Sequence, residues 1–383
     1  VKNRFTNFWT DRSVAQQCTT AVSLHGHTNH SRETLFFIRD FAEQQPWFRW
    51  IVKLANTDAQ KKSAIRIDFK RSYWTPPLPP LEAFTVERRQ IEEGLGMRSM
   101  ISLTDHDTIE APLLLRVVPE ARRIPVSLEW SVPFQATVFH LGVHNLPSAD
   151  AQPWMDRLAA LTAYPDPREM RDILAALAAI PQVLLVFNHP LWDLPGVGKA
   201  IHRNSVRDLL SVAQPFLHAF ELGGLREWKE NAEVIELARA YQKPYIAGGD
   251  RHGCEPSALL NLTNAASFSE FVAEVRQGHS HVLAMPQYAE SNWVRVYHTV
   301  LDVIRYYPGH PFGTRSWDNR VFHPNSEGEI RPVATLWDGP PLLINWVFNI
   351  LRLGEAQPMR RALFALSRGR QVAELGMDGQ EAS

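Results

Sequence analysis

Short apolar and β-branched runs recur along the chain, at Ala21–Leu24, Ser99–Leu103, Pro125–Leu128, Thr137–Leu141, Val183–Phe187, Ala219–Leu222, Tyr245–Ala247 and His281–Ala284. Each precedes a stretch that can be helical, and strand alternating with helix predicts parallel pairing. The run Val183-Leu-Leu-Val-Phe187 shows no polar alternation, as expected of a strand covered on both faces. The segments Glu169–Ala179 and Asn231–Tyr241 carry apolar stripes at helical spacing that can cover such strands. A closed or nearly closed α/β barrel follows from this pattern more readily than a sandwich.

Two regions break the alternation. The stretch from Glu33 to Gly96 is longer than one crossover needs. Its latter part, Leu81–Glu93, reads as an ordinary crossover helix, which leaves an insertion of about residues 33–80. That insertion holds an aromatic cluster (Phe36, Phe37, Phe41, Trp47, Phe48, Trp50), a basic run (Lys61, Lys62, Arg66, Lys70, Arg71) and the turn-rich Pro76-Pro-Leu-Pro-Pro80. Extra packing is favoured over a lid. Beyond Met285 the strand pattern stops, and Trp293, Val296, Val300, Val303 and Tyr307 mark a helical face. The expected division is an N-terminal extension (1–20), a barrel (21–285) and a mostly helical appendage (286–383), whose apolar stretch around Trp346 and Phe348 is expected to pack on the barrel or on a second copy of the chain.

Composition narrows the function. A chain of 383 residues exceeds the size at which one core stops growing, so a catalytic domain with an added piece is the natural expectation. With 40 basic against 41 acidic residues there is no general field for extended nucleic acid or a membrane surface, so any attraction to phosphate must be local. The 2 cysteines, Cys18 and Cys254, are too few for a disulfide framework or a thiolate zinc site, which fits the reducing cytoplasm. No signal segment or membrane span is visible in the pattern.

The chemistry lies where the predicted strands end. His25-Gly-His27 follows a β-run, and alternation would project both imidazoles from one face about 7 Å apart. One such pair is weak evidence, because histidines also serve as hydrogen-bonded core residues. Recurrence changes the weight: other strands end in Asp105-His106-Asp107, Glu129, His140 with His144 close behind, His189-Pro190, and Asp250-Arg-His252. In α/β barrels catalytic groups come from the C-terminal ends of several strands, whereas structural residues have no reason to share that rim. Imidazole and carboxylate without thiolate suit Mn, Fe or Zn in an open catalytic site. His202, His218, His298 and His323 have no comparable placement.

At this point the chain resembles the polymerase and histidinol phosphatase (PHP) superfamily of metal-dependent phosphoesterases. Ser23-Leu-His-Gly-His-Thr28 is similar to its first motif and Ser102-Leu-Thr-Asp-His-Asp-Thr108 to its second. Ile124-Pro-Val-Ser-Leu-Glu129 resembles the strand that ends in a metal-bridging glutamate, and Val138-Phe-His-Leu-Gly142 the next, histidine-bearing strand. Asn188-His-Pro190 and Gly249-Asp-Arg-His252 resemble the last two motifs, so the match runs in order over roughly residues 20 to 285.

The resemblance implies a distorted TIM-like (β/α)7 PHP barrel holding two or three divalent ions. Carried over, His25, His27, Glu129 and Asp250 bind one ion, and Glu129, His140 and His189 a second, while His106 and His252 belong to a third. The sequence departs from the family by placing Arg32 where an acidic residue or histidine is common. Either the third ion is absent, leaving His106 and His252 to meet the substrate phosphate with Arg32, or Glu33 or His30 replaces the lost ligand. Arg251 is a second candidate phosphate contact, with a salt bridge as its alternative. Asp105 and Asp107 are expected to orient His106 or cap a turn, and Glu221 to support Asp250 or Lys243.

The implied reaction is attack on phosphorus by a metal-bridging hydroxide, with Asp250, His252 or His106 carrying the proton. The implied substrate is a small phosphate ester or a nucleotide. An amidohydrolase-like hydrolase of an amide or lactone, and a non-catalytic metal-stabilised binding protein, are the two rivals. A homo-oligomer through the C-terminal region is also expected.

Overall fold

The computed structural model describes residues 1–9, 11–35, 68, 71–305, 316–337 and 342–353. The aromatic cluster and most of the basic run of the insertion lie outside these residues.

Fourteen strands are described: β1 (Lys2–Asn7), β2 (Thr20–Leu24), β3 (Glu33–Thr34), β4 (Tyr73–Trp74), β5 (Arg98–Ser102), β6 (Val126–Phe134), β7 (Thr137–Leu146), β8 (Leu184–Phe187), β9 (Ala219–Gly223), β10 (Tyr245–Gly248), β11 (Leu259–Thr263), β12 (His279–Ala284), β13 (Val321–Pro324) and β14 (Ile330–Pro332). They form two five-stranded sheets, β1-β12-β11-β2-β5 and β10-β9-β8-β7-β6, and a small four-stranded sheet, β14-β13-β4-β3. All eight expected runs contribute strands. Every residue of β2, β8 and β9 is buried, and in β8 this accords with its continuous apolar run.

Helices cover the sheets where periodicity predicts them. The helix Pro167–Ala178 buries Met170, Ile173, Leu174 and Leu177, a stripe at helical spacing. Its start is set by Pro167 in the first turn and by Asp166, whose side chain accepts from the Arg168 and Glu169 amides at 2.7 and 3.2 Å. The helices Trp228–Ala240 and Pro80–Arg89 likewise lie at two of the predicted segments.

The expectation of a closed or nearly closed barrel of parallel strands needs correction as to closure and strand direction. Among the described residues no continuous ladder closes. The two large sheets meet instead at single parallel bridges, Gly26 with Arg251 and His106 with Glu129. Pairing is mixed: β6 with β7, β7 with β8, and β11 with both β12 and β2 are antiparallel. The cause is local for the first pair. Phe134 faces Thr137 across a two-residue turn with Gln135 at φ 54°, and so short a connection permits only a hairpin.

The ends of the chain join the sheets. The N-terminal stretch is part of the first five-stranded sheet, since β1 runs parallel to β12. The described C-terminal residues carry two short strands among their helices: β13 pairs with β4, and β4 with β3, so the insertion and the C-terminal segment build one small sheet together. The helix Asn292–Ile304 forms as predicted but faces the other way, with Trp293 54% and Val296 42% exposed and Val294, Arg295, Leu301, Asp302 and Ile304 buried. Hydropathy selects the wrong face because Arg295 and Asp302 are buried with polar partners: Arg295 donates to the Arg226 carbonyl and Asp302 accepts from the Cys254 amide. Among the described residues no helix is long and apolar enough to cross a membrane.

His218 gives the fold a pH dependence. Its Nδ1 accepts from the Leu185 amide at 2.9 Å, and burial pushes its pKa down to about 3. The unfolded chain therefore binds one more proton than the folded chain between its ordinary value near 6.5 and about 3. That contribution is complete above this window and is lost as pH falls through it, at no more than about 1.4 kcal/mol per pH unit. Urea unfolding midpoints measured from pH 7 down should decline less steeply in His218→Gln than in the wild type.

Candidate metal centre

The site is built at strand ends, where backbone leaves the ladder. His25 follows β2 at φ 60°, Asp107 follows β5 at φ 53°, His189 follows β8 at φ 26° and Asp250 follows β10 at φ 48°. Four non-glycine residues in the left-handed region within one site each carry a cost of order 1–3 kcal/mol, which the surrounding packing must sustain. Glu129 differs, since it sits within β6, held by the Asp105 carbonyl at its amide and by the Asp107 amide at its carbonyl.

Glu129 is the hub. Its Oε2 lies 3.0 Å from His25 Nε2, 3.3 Å from His27 Nε2 and 3.4 Å from His106 Nε2. Its Oε1 lies 3.1 Å from His189 Nε2 and 3.3 Å from His140 Nδ1, and accepts from Asn188 Nδ2 at 2.9 Å. Asp250 Oδ1 is 3.7 Å from both His25 Nε2 and His27 Nε2, and 3.5 Å from His252 Nδ1. Glu33 Oε2 lies 3.1 Å from His252 Nε2 and 3.2 Å from His106 Nε2. The structure therefore gathers all eight sequence-expected ligands, His25, His27, His106, Glu129, His140, His189, Asp250 and His252, and adds Glu33.

Four overlapping groups within this cluster have donor atoms close enough to hold an ion: His25, His27 and Glu129; His25, His189 and Asp250; His106, Glu129 and His140; and His27, Glu33, His106 and His252. The fourth group has Glu33, not His30, beside the histidines expected of a third ion. Buried polar atoms without hydrogen bonds mark the same place: His27 Nε2, His140 Nδ1 and Asp250 Oδ1. An unsatisfied buried polar atom costs about 1–3 kcal/mol, and cations would engage all three. The donor set is nitrogen and oxygen only, which fits divalent metals.

Electrostatics separates the imidazoles. Burial opposes charge on His27 and, with the neighbouring His252, lowers it to about 3; burial lowers His189 to about 4. On His106 burial is outweighed by Glu33 and Glu129, which push it up to about 10. Burial would raise Glu129, yet His25, His140 and His106 hold it well below the carboxylate range. The cluster thus keeps Glu129 ionised and offers neutral lone pairs at His27 and His189, while His106 holds a proton that an incoming cation would displace.

A surrounding layer fixes these groups. His25 Nδ1–H donates to Glu221 Oε2 at 2.6 Å, which aims Nε2 at Glu129 and Asp250. Glu221 thus supports His25 rather than Asp250 or Lys243, and Gly248 is needed beside it because a Cβ there would collide with the carboxylate. Asp105 accepts from the Thr28 amide and hydroxyl at 2.5 and 2.6 Å, so it pins the loop after His27 rather than orienting His106. Asp107 accepts from the Ser131 amide at 2.8 Å. His144 turns toward Ser102, 2.8 Å from its hydroxyl, and belongs to none of the four groups.

The two arginines expected to meet phosphate are directed elsewhere. Arg251 is buried; its Nε lies 3.0 Å from Glu87, and its other nitrogens donate to the Gly253 and His27 carbonyls. Its salt bridge is inward, formed because a buried guanidinium must be paired. Arg32 is exposed, with its guanidinium 5.3 Å from the Tyr73 ring centroid, while Glu33 beside it is buried toward the histidines. Sequence reasoning missed Arg226, whose Nη2 donates to Asp250 Oδ2 at 3.2 Å, and Trp192, whose ring lies 5.0 Å from that of His189. No motif in the sequence marks either.

Comparison with known proteins adds no family assignment. No protein-family profile matches the chain, and no curated protein matches it. Solved structures resemble it distantly. PsfC from Pseudomonas syringae is 14% identical, with 73% of this chain and 96% of that chain covered at TM-score 0.38. A protein whose name proposes a metal-dependent phosphoesterase, from Bifidobacterium adolescentis, is 13% identical over 52% of this chain and 92% of its own, at TM-score 0.32. An amidohydrolase from Chromobacterium violaceum is 12% identical over 46% of this chain and 83% of its own, at TM-score 0.30. Likeness at this level does not bear on the chemistry, which rests on the geometry above.

The Glu221 contact is testable without an assay of turnover. Glu221→Gln removes the charge that holds His25 and should weaken metal retention about 10–100-fold in chelator competition, with the unfolding midpoint of the metal-free protein little changed. Unchanged retention would place Glu221 outside the centre.

Proposed function

We propose that this chain is a metal-dependent phosphoesterase acting on a small phosphate ester, with residues 21–285 forming a PHP-like hydrolase unit. The observation that carries the reading is the convergence of His25, His27, His106, Glu129, His140, His189, Asp250 and His252 on shared buried carboxylates. A structural metal site would close on four ligands, whereas this cluster joins several groups through Glu129.

In this reading His25, His27, Glu129 and Asp250 hold one divalent ion, Glu129, His140 and His189 a second, and Glu33, His106 and His252 a third. Mn, Fe or Zn bound there supplies Lewis acidity and lowers the pKa of water. Three dications less the charges of Glu33, Glu129 and Asp250 leave a net of about plus three, which complements a phosphate monoester dianion. The protein's own part is orientation and proton transfer. His252 and His106 are 13% and 12% exposed, the most open of the histidine ligands, so with the third place unfilled they are the members placed to pass a proton to a departing alkoxide. Asp250 Oδ1, without a hydrogen bond of its own, is the third candidate carrier.

The reading predicts that purified protein retains at least two equivalents of transition metal by elemental analysis and releases phosphate from phosphomonoesters. Exhaustive chelation should abolish turnover, and Mn should restore it. His27→Ala and Asp250→Asn should each lower kcat by several orders of magnitude while leaving the circular dichroism spectrum unchanged. Full activity in metal-free protein, or cleavage of amides and lactones in place of phosphate esters across a substrate panel, would overturn it.

A further inference from the structure

Arg226 occupies a place beside the metal centre that the fold goes to some length to build. It follows β9 by way of Gly223 and Gly224, and neither tolerates a side chain. A Cβ on Gly223 would lie 2.7 Å from Arg226 Cγ, and one on Gly224 would lie 2.7 Å from the Gly249 carbonyl oxygen. Asn231 grips Gly223 at both its amide and its carbonyl, at 3.0 and 3.1 Å, and donates to the Tyr288 hydroxyl at 2.6 Å. The Arg226 carbonyl accepts from Tyr288 at 3.3 Å and from the buried Arg295 at 2.9 Å. Residues of three elements therefore fix this backbone.

The side chain so placed is poised over the centre. Its guanidinium lies 4.0 Å from the ring centroid of Trp192, whose ring in turn contacts His189 at 5.0 Å and His140 at 6.4 Å. Nη2 donates to Asp250 Oδ2, while Nε is buried with no partner. A single carboxylate oxygen thus engages one of the five N–H donors. Asp250 already offsets part of the guanidinium charge at Nη2, and the remaining donors can take a further anion lying against the cation-binding cluster. Stacking on Trp192 holds the plane of the fork while leaving its donors free to turn to such an anion.

We propose that Arg226, seated on Trp192, is the residue that recognises the phosphoryl oxygens of the substrate, and that it makes the centre select monoesters over diesters. The proposal rests on the phosphoesterase reading above. A phosphate monoester has three non-bridging oxygens, so one remains to accept from the arginine when the other two face the cations. A diester has two and leaves none. The role sought from Arg32 and Arg251 in the sequence falls to a residue that no motif announces.

The test uses the full-length, metal-loaded protein with Arg226→Ala and Arg226→Lys, each checked for metal content. Inorganic phosphate is titrated by calorimetry, which needs no turnover, and kcat/KM is compared for p-nitrophenyl phosphate and bis-p-nitrophenyl phosphate. The expected result is that Arg226→Ala weakens phosphate binding about tenfold or more, with Arg226→Lys between it and the wild type. The monoester kcat/KM should fall about a hundredfold and the diester value less than threefold. Unchanged phosphate affinity, or equal losses on both esters, overturns the proposal. Loss of metal from Arg226→Ala assigns the residue to holding Asp250 and also overturns it. If the wild type cleaves neither ester, the phosphoesterase reading fails separately, and the phosphate titration still decides the role of Arg226.

Discussion

One carboxylate organises the molecule. Glu129 lies among five imidazoles, within 3.4 Å of each, in a place where water does not reach. A buried anion is tolerable only when paired and hydrogen-bonded, and those imidazoles are delivered by residues that follow or lie in four strands of two sheets. The sheets do not join by a ladder at this point, so the charge cluster and the two single bridges beside it add to the packing of Val22 and Leu24 on Leu184, Val186 and Ile246 in holding one sheet to the other. Function and cohesion therefore draw on the same residues, and the strained backbone at His25, His189 and Asp250 persists because both are served.

Much of this was legible in the sequence because ligand chemistry leaves a residue-type signature at strand ends. Histidine and acid close to the ends of six predicted strands can be read without knowing how the strands pair, and the resemblance to the PHP superfamily then picks the eight expected ligands from among them. Pairing was less legible. The hairpin at Gln135 depends on a two-residue turn with neither glycine nor asparagine at its first position, so the usual turn signal is missing. The inverted helix Asn292–Ile304 shows the same limit from another side. Its buried face contains Arg295 and Asp302, whose partners lie in distant parts of the chain, and hydropathy cannot count a partner it does not see.

Glu33 and Arg226 mark where local reading ends. Glu33 was one of two candidate replacements near Arg32, and choosing between them needs the antiparallel pairing of β3 with β4, which turns Glu33 and Trp74 to one side; Trp74 stands 5.9 Å from the His252 ring. Arg226 is joined to Asp250 only through three-dimensional closure of the loop after β9. Neither residue type at its position is unusual, and both matter through what the fold sets beside them.

The small sheet has a consequence for how the protein is made. β3 carries Glu33, β4 aligns it, and the outer neighbour of β4 is β13, near the far end of the described chain. During synthesis the first histidine pair and β4 emerge early, whereas β13, which flanks β4, emerges only after both large sheets have been translated. Completion of the small sheet behind the His27–Glu33–His106–His252 group thus comes late, and a polypeptide cut short before Val321 would leave β4 paired with β3 alone.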